Sequence, residues 1–344
     1  MSGDGARDYL SKPAGRHQRG VRQTGEPFFV GSRVEEFDRR AASGTITWRG
    51  QGLRQRISYH QLTLTFEDYK TWSCQRYPLY FSGDPENTNG GMAGTLRGGL
   101  SLGLCGFSFW GHFIGDFAYG SPRELCRRWL AFGVLGSHSR CHGRPPTEPW
   151  EYDEEFVEEF RRMAELRYRL MPYIYAQARL CSKEGYPMVR TLFFERPDDP
   201  TCWFVEDEYM FGEDVLIAPL MEDTPDRDVY LPPGSWIDYQ TTKTYEGAGW
   251  HRIWAGEIPV VMLVREGAAI PCLELAQSTL EMGWRQIELT VFAGEETSVA
   301  EGRVCVPEEG ELHTLPLERE DDNFALKEDP LEERVEWSIS TIHT

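Results

Sequence analysis

No run of eighteen apolar residues occurs in the 344-residue chain, so no membrane-crossing helix is expected. The first twenty residues are polar and basic and lack the apolar centre of a signal peptide. Basic residues are in deficit, 36 against 55 acidic ones, for a net charge of −19. A nucleic-acid partner favours the opposite balance and is excluded. The eight cysteines contain no C-x-x-C pair, which removes zinc ribbons and thioredoxin-like motifs. They are expected to be reduced, mostly buried thiols, and a cytoplasmic location follows as an expectation. Neither a phosphate-binding glycine loop nor a strand–turn–helix nucleophile elbow is expected, and no repeat of 20–50 residues is visible.

What is present is unevenly distributed. Basic residues outnumber acidic ones over residues 1–60, and acidic ones dominate over 301–344. Residues 1–73 are rich in Gly, Arg, Ser and Gln without periodicity, and read as an irregular segment. The acidic run from Glu318 to Glu336 reads as a solvated tail.

Between them, strand, polar loop and helix alternate. Tyr77–Phe81 is a strand ending at Ser82-Gly83-Asp84-Pro85, which is turn chemistry. Met92–Leu104 has apolar residues near helical spacing, and Gly106–Trp110 is a second strand. Ser121-Pro122-Arg123-Glu124 opens a helix with Ser121 as its cap. Phe132–Leu135 reads as a third strand before the loop Ser137–Gly143. Glu151–Lys183 is helical with a break at Pro172, and Pro187–Phe194 reads as a fourth strand. This grammar belongs to a (β/α) barrel with its active-site loops at the strand C-termini. From Met210 onward, short strands separated by Gly and Pro predict an all-β region. The expected fold is therefore α/β plus β, a partial (β/α)8 barrel over 74–205 followed by a β-sandwich over 206–276. A partial β region and acidic tail would fill 277–344.

Asp84, after a strand, suits a general acid/base, although a turn-capping aspartate has the same spacing. His138 and His142, four apart, could ligate a metal, bind a sugar hydroxyl or be structural. Trp110, Phe81 and Phe117 lie at strand ends, where an aromatic face can pack in the core or against a pyranose ring.

Taken in order, these segments resemble glycoside hydrolase family 31. The resemblance is carried by Gly83-Asp84, Thr95–Leu104, Gly106-Phe-Ser-Phe-Trp-Gly-His112, Ser137-His-Ser-Arg-Cys-His-Gly143 and Tyr168-Arg-Leu-Met-Pro-Tyr173. It continues through Arg196–Pro200, Tyr209–Gly212 and Val264–Pro271. It spans about residues 74–272 and is nearest to the α-xylosidase branch. It implies a retaining α-glycosidase without metal or organic cofactor, acting on an α-linked oligosaccharide or glycoside. By this resemblance Asp84 would be the acid/base, with His142, Arg140, Trp110, Phe117 and Phe81 against the sugar.

The departures from the family pattern are equally specific. The nucleophile motif, D-F-G-E-like and preceded by Lys, is not found, and Asp68 stands where an Arg is expected. Phe113 replaces a substrate-binding Asp, Asp116 replaces a Gly, and Phe81 stands where Trp is usual. The chain is therefore expected to hold the second half of a barrel, with marginal stability and no turnover by itself. A non-catalytic remnant with a carbohydrate-binding or interaction role is the alternative.

Overall fold

The computed structural model describes residues 79–115, 120–143 and 148–343. The expectations for residues 1–73, for Asp116 and for Phe117 lie outside the described residues.

Two short parallel strands and one bridge form the barrel part. β1 (Leu79–Phe81) pairs in parallel with β2 (Phe109–Gly111), in the register Tyr80 to Trp110. Gly111 then bridges in parallel to His138, which marks a third strand position. Ser137 extends this pairing through its side chain: its Oγ accepts from Trp110 N and donates to Trp110 O.

Helices connect the strands on one side. α1 (Asn89–Leu104) starts at Thr88, whose Oγ accepts from Gly91 N at 2.9 Å. A Cβ on Gly99 would lie 2.0 Å from the Trp110 ring, so this glycine is what lets α1 lie on β2. α2 (Arg123–Val134) follows β2. Its cap position is taken by Pro122 rather than the expected Ser121, whose Oγ instead donates to Asn87 Oδ1 at 2.6 Å. α2 also absorbs most of the run read as a third strand. Phe132 and Val134 are helical, and the true strand position lies beyond them at His138. The long helical region divides at Leu170 into α3 (Glu154–Arg169) and α4 (Met171–Glu184), with Pro172 in the first turn of the second helix. α4 ends at Gly185, whose φ of +75° is the left-handed conformation glycine adopts readily.

The fourth strand read from sequence is not a barrel strand. Only Val189–Arg190 (β3) is extended, and it pairs antiparallel with β4 (Tyr209–Phe211) in the first β sheet. The next residues, Leu192–Glu195, form a helical turn, α5. That sheet runs β3-β4-β5-β10-β7-β8, where β5 is Val215–Pro219, β7 Ser235–Asp238, β8 Thr244–Glu246 and β10 Val260–Arg265. A separate antiparallel ribbon pairs β6 (Asp226–Leu231) with β9 (Gly249–Trp254).

The second sheet runs β15-β14-β13-β11-β12-β16. Its members are β11 (Ala268–Cys272), β12 (Gln286–Ala293), β13 (Val299–Cys305), β14 (Leu312–Glu320), β15 (Asn323–Leu326) and β16 (Glu336–His343). The sheets therefore change over at Gly267, ahead of the boundary read at 276. The acidic run is not a tail either. The end of β14 and all of β15 lie within it, turn and loop make up most of the rest, and β16, starting at Glu336, pairs in parallel with all eight residues of β12.

One core joins the barrel part to the β sheets, and it includes Trp129, Leu170, Tyr173, Phe211, Val215 and Met262. Each such side chain contributes about 1.5–3 kcal/mol by leaving water. Two phenols fix the junction. Tyr173 donates to Phe211 O at 2.6 Å, and Tyr209 donates to Leu135 O at 2.8 Å. Five of the seven described cysteines are buried and none of the seven is bridged.

Candidate active site

The three parallel strand positions all send their C-terminal ends into one cluster of loops. β1 continues through Ser82, whose N–H still bonds Gly111 O at 3.0 Å, and then turns at Gly83 to present an exposed Asp84. A φ of +85° at Gly83 favours glycine at this turn. β2 continues to Phe113. The third strand position continues to Arg140 and His142. Ile114 N donates to Arg140 O at 2.9 Å, which ties the second loop to the third. Asn87 ties the first loop to the second by donating through Nδ2 to Gly120 O while accepting from Ser121 Oγ.

At the centre, the Arg140 guanidinium lies over two rings. Its carbon is 5.1 Å from the Phe81 centroid and 4.8 Å from that of Phe113. The two phenylalanines meet edge to face at 4.3 Å, and Phe113 in turn lies 5.1 Å from His142. Burial lowers the pKa of Arg140, and the negative charge of Asp84 acts against that shift. His142 is also lowered, first by burial and then by the Arg140 charge. These two causes favour a neutral imidazole at His142, able to donate from one nitrogen and accept at the other.

The structure thus brings together Asp84, Phe81, Arg140 and His142. Trp110 departs from the expectation. It is only 4% exposed, and its ring fills the gap between β2 and Gly99 of α1 rather than offering a face to a ligand. Alternation along β2 sends Trp110 to the helix side and Phe109 and Gly111 to the other.

The neighbouring histidines are structural supports. Trp129 Nε1 donates to His112 Nδ1 at 3.1 Å, and the imidazole stacks on Phe132. Burial lowers the His112 pKa to about 4, and a contact with Phe113 O opposes this. His138 is lowered to about 3 by burial, then by Arg167. His138 contacts Ser137 Oγ and Phe109, whereas His142 contacts Phe113. Among the described residues, the one group whose ligand atoms could converge on a metal is Glu309, Glu311 and His313, which includes neither of them.

The residues that hold this arrangement carry little sequence signal. Arg167 of α3 is buried and donates to Val134 O, Gly136 O and Ser137 O at 2.5, 2.8 and 3.0 Å. It thereby satisfies carbonyls left over at the end of α2 and fixes the turn into the third strand position. Ser139 adds a bond from Oγ to Gly133 O at 2.7 Å. The serines were visible in the Ser-His-Ser-Arg string, but Arg167, one residue before the Tyr168–Tyr173 string, gave no signal of what it holds. Gly99-Leu-Ser-Leu-Gly103 spells a G-x-S-x-G string, yet it lies within α1 and Ser101 Oγ bonds back to Arg97 O. It is no nucleophile elbow.

Comparison with known proteins agrees with this geometry. Residues 47–177 match the glycosyl hydrolases family 31 TIM-barrel domain, and residues 185–270 match the family 31 C-terminal domain. The chain belongs to glycoside hydrolase family 31. It is similar to an alpha-xylosidase of Emericella nidulans, 37% identical over 226 residues that make up 62% of this chain and 29% of the relative. It is also similar to alpha-glucosidase 2 of Bacillus thermoamyloliquefaciens, 34% identical over 60% of this chain and 27% of that enzyme. Among solved structures, a family 31 dextranase of Flavobacterium johnsoniae complexed with glucose superposes with a TM-score of 0.65. The two are 27% identical, over 72% of this chain and 33% of that one. A family 31 alpha-xylosidase from a soil metagenome complexed with xylose gives 0.53 and 33% identity, over 56% and 32% of the two chains. The chain spans less than a third of the length of the two curated relatives. The family's architecture, a TIM barrel followed by a β domain, is the frame for the strands and sheets described above.

Proposed function

We propose that Asp84 is the general acid/base of a retaining α-glycosidase site acting on terminal α-xylosyl or α-glucosyl linkages. The observation that carries this reading is the position of Asp84 at the end of β1, electrostatically coupled to Arg140 on the third loop. The α-xylosidase and α-glucosidase names of the relatives support the substrate class. His142 would exchange hydrogen bonds with sugar hydroxyls, Phe81 and Arg140 would wall the pocket, and Phe117 would supply a further aromatic face.

In double displacement, a carboxylate attacks the anomeric carbon while the acid/base gives its proton to the departing oxygen. The acid/base then takes a proton from water as that water cleaves the glycosyl ester. The two carboxyls must stand about 5–5.5 Å apart. The sequence supplies Asp84 for the proton-transfer role but no nucleophile motif. The 344-residue chain by itself is therefore proposed not to turn over. Phe113 supports a second reading, a non-catalytic remnant with a carbohydrate-binding or interaction role, because a phenyl ring cannot accept a hydroxyl hydrogen bond where the family pattern has a carboxylate.

The test uses 4-nitrophenyl α-xyloside and α-glucoside. The chain alone is expected to be silent. Fusion behind the preceding barrel strands of the Emericella nidulans relative is expected to give turnover, which Asp84→Asn lowers by about 10³-fold or more. Turnover that survives Asp84→Asn in either protein would remove Asp84 from the reaction.

A further inference from the structure

The β6–β9 ribbon carries a feature the candidate active site does not use. Along β9 the side chains alternate. Ile253 is fully buried and His251 half-buried, while Trp250, Arg252 and Trp254 face outward. The two indoles are 57% and 53% exposed. Large aromatics so exposed on one strand face mark a binding surface more often than a lone exposed residue does. They stand four positions apart on the strand, about 13–14 Å along the ribbon.

The surface between the indoles is polar. Arg252 lies there, 2.7 Å from Asp226 and 3.6 Å from Asp228 of the neighbouring strand. All three side chains are substantially exposed, so this pairing is weak and its donors and acceptors stay available. A protein partner would be expected to meet a desolvated apolar centre with a polar rim, and this face has the reverse order. Flat aromatic rings flanking exposed hydrogen-bonding groups instead suit a sugar chain, which has apolar C–H faces and equatorial hydroxyls. A two-stranded ribbon is also strongly twisted, which suits a curved chain rather than a flat one.

We infer that the outward face of β9 is an accessory binding surface for a soluble, neutral, α-linked glucose oligosaccharide, gripped by Trp250 and Trp254 with Arg252 and Asp228 between them and Asp226 beside Trp254. The choice of an α-linked chain rests on the substrate class proposed above; the surface itself does not depend on Asp84. Trp254 is the better probe, because the Trp250 ring also touches Tyr230 at 5.4 Å.

The experiment titrates the full chain with maltohexaose and reads tryptophan fluorescence and binding heat. Saturable binding is expected, weakened at least tenfold by Trp254→Ala and largely retained by Trp254→Tyr, which keeps an aromatic ring. The Asp84 assignment is read separately, by aryl-glycoside turnover of the fused enzyme, so a failed acid/base assignment and a failed ribbon site give different results. No saturation with maltohexaose, or saturation indifferent to Trp254→Ala, would overturn the inference. So would a Trp250→Ala/Trp254→Ala double variant that abolishes self-association while leaving sugar binding intact.

Discussion

Arg140 lies against Phe113, its guanidinium carbon 4.8 Å from the ring centroid. Phe113 stands where the family pattern has an aspartate, so an aromatic face meets the cation in place of a carboxylate. The contact is a cation–π interaction in a partly desolvated setting, contributing about 0.5–2 kcal/mol.

Phe113 is buried, so replacing its ring should lower stability as well as change ligand binding. Phe113→Asp is expected to raise affinity for xylose or glucose about tenfold or more by restoring a hydroxyl acceptor beside Arg140. Calorimetric titration of the full chain with each monosaccharide reads this directly. Equal affinity in the two proteins would show that Phe113 does not obstruct the pocket.

The close approach of α1 to β2 depends on Gly99. A Cβ there would lie 2.0 Å from the Trp110 ring, and Trp110 is buried and hemmed in. Gly99→Ala gains helix propensity of about 1 kcal/mol but forces the helix or the indole to move. The net expectation is a loss of about 1–3 kcal/mol, measured by urea titration. Gly98→Ala is the internal control: its Cβ meets nothing within 4 Å, so it should be neutral or stabilising.

Arg167 holds the turn that carries His138 and Arg140. Arg167→Met keeps much of the stem but leaves the carbonyls of Val134, Gly136 and Ser137 without that donor. The expected loss is about 2–4 kcal/mol. Lysine should not rescue it, since one ammonium does not reproduce a planar fork reaching three acceptors. Urea midpoints of the two variants test both points, and recovery by Arg167→Lys would refute the second.

Two buried histidines should make the fold acid-sensitive in a defined window. His112 and His138 have folded pKa values lowered from 6.5 to about 4 and about 3, in both cases chiefly by burial. Below pH 6.5 the unfolded chain binds protons that the folded protein refuses. Their contribution is therefore complete above that pH and declines as pH falls toward the folded values. The slope approaches about 1.4 kcal/mol per pH unit per histidine. Comparing urea midpoints at pH 7 and pH 5 in the unmodified chain and in His112→Phe should show a shallower decline in the variant. An unchanged decline would mean that His112 titrates in the folded state near its ordinary value.

Much of this arrangement is legible in the sequence. Asp84 after an apolar run, with Gly and Pro around it, announces a strand end that displays a carboxylate. Pro172 marks the break between α3 and α4. The string from Ser137 to Gly143 places Arg140 and His142 in one loop. Short apolar runs were less legible because they fit either period. Phe132–Leu135 reads as a strand although most of it completes α2, and Val189–Arg190 reads as part of the barrel although it pairs with β4. Charge misleads at the other end: Glu318 and Glu320 stand on the exposed face of β14, whose alternation buries Leu315 and Leu317, and Asp321 and Asp322 form the turn into β15, where Phe324 is buried.

The sequence by itself determined the alternation of strand, loop and helix, and which chemical groups stand at each strand end, because these follow from local spacing and turn chemistry. Only the tertiary structure decided which way those groups face. Trp110 turns to the helices because Gly99 opens a slot for its ring, while Phe113 turns to Arg140 because a parallel bridge and one backbone bond from Ile114 to Arg140 set two loops side by side. Such pairings join residues far apart in the chain, and no local pattern encodes them.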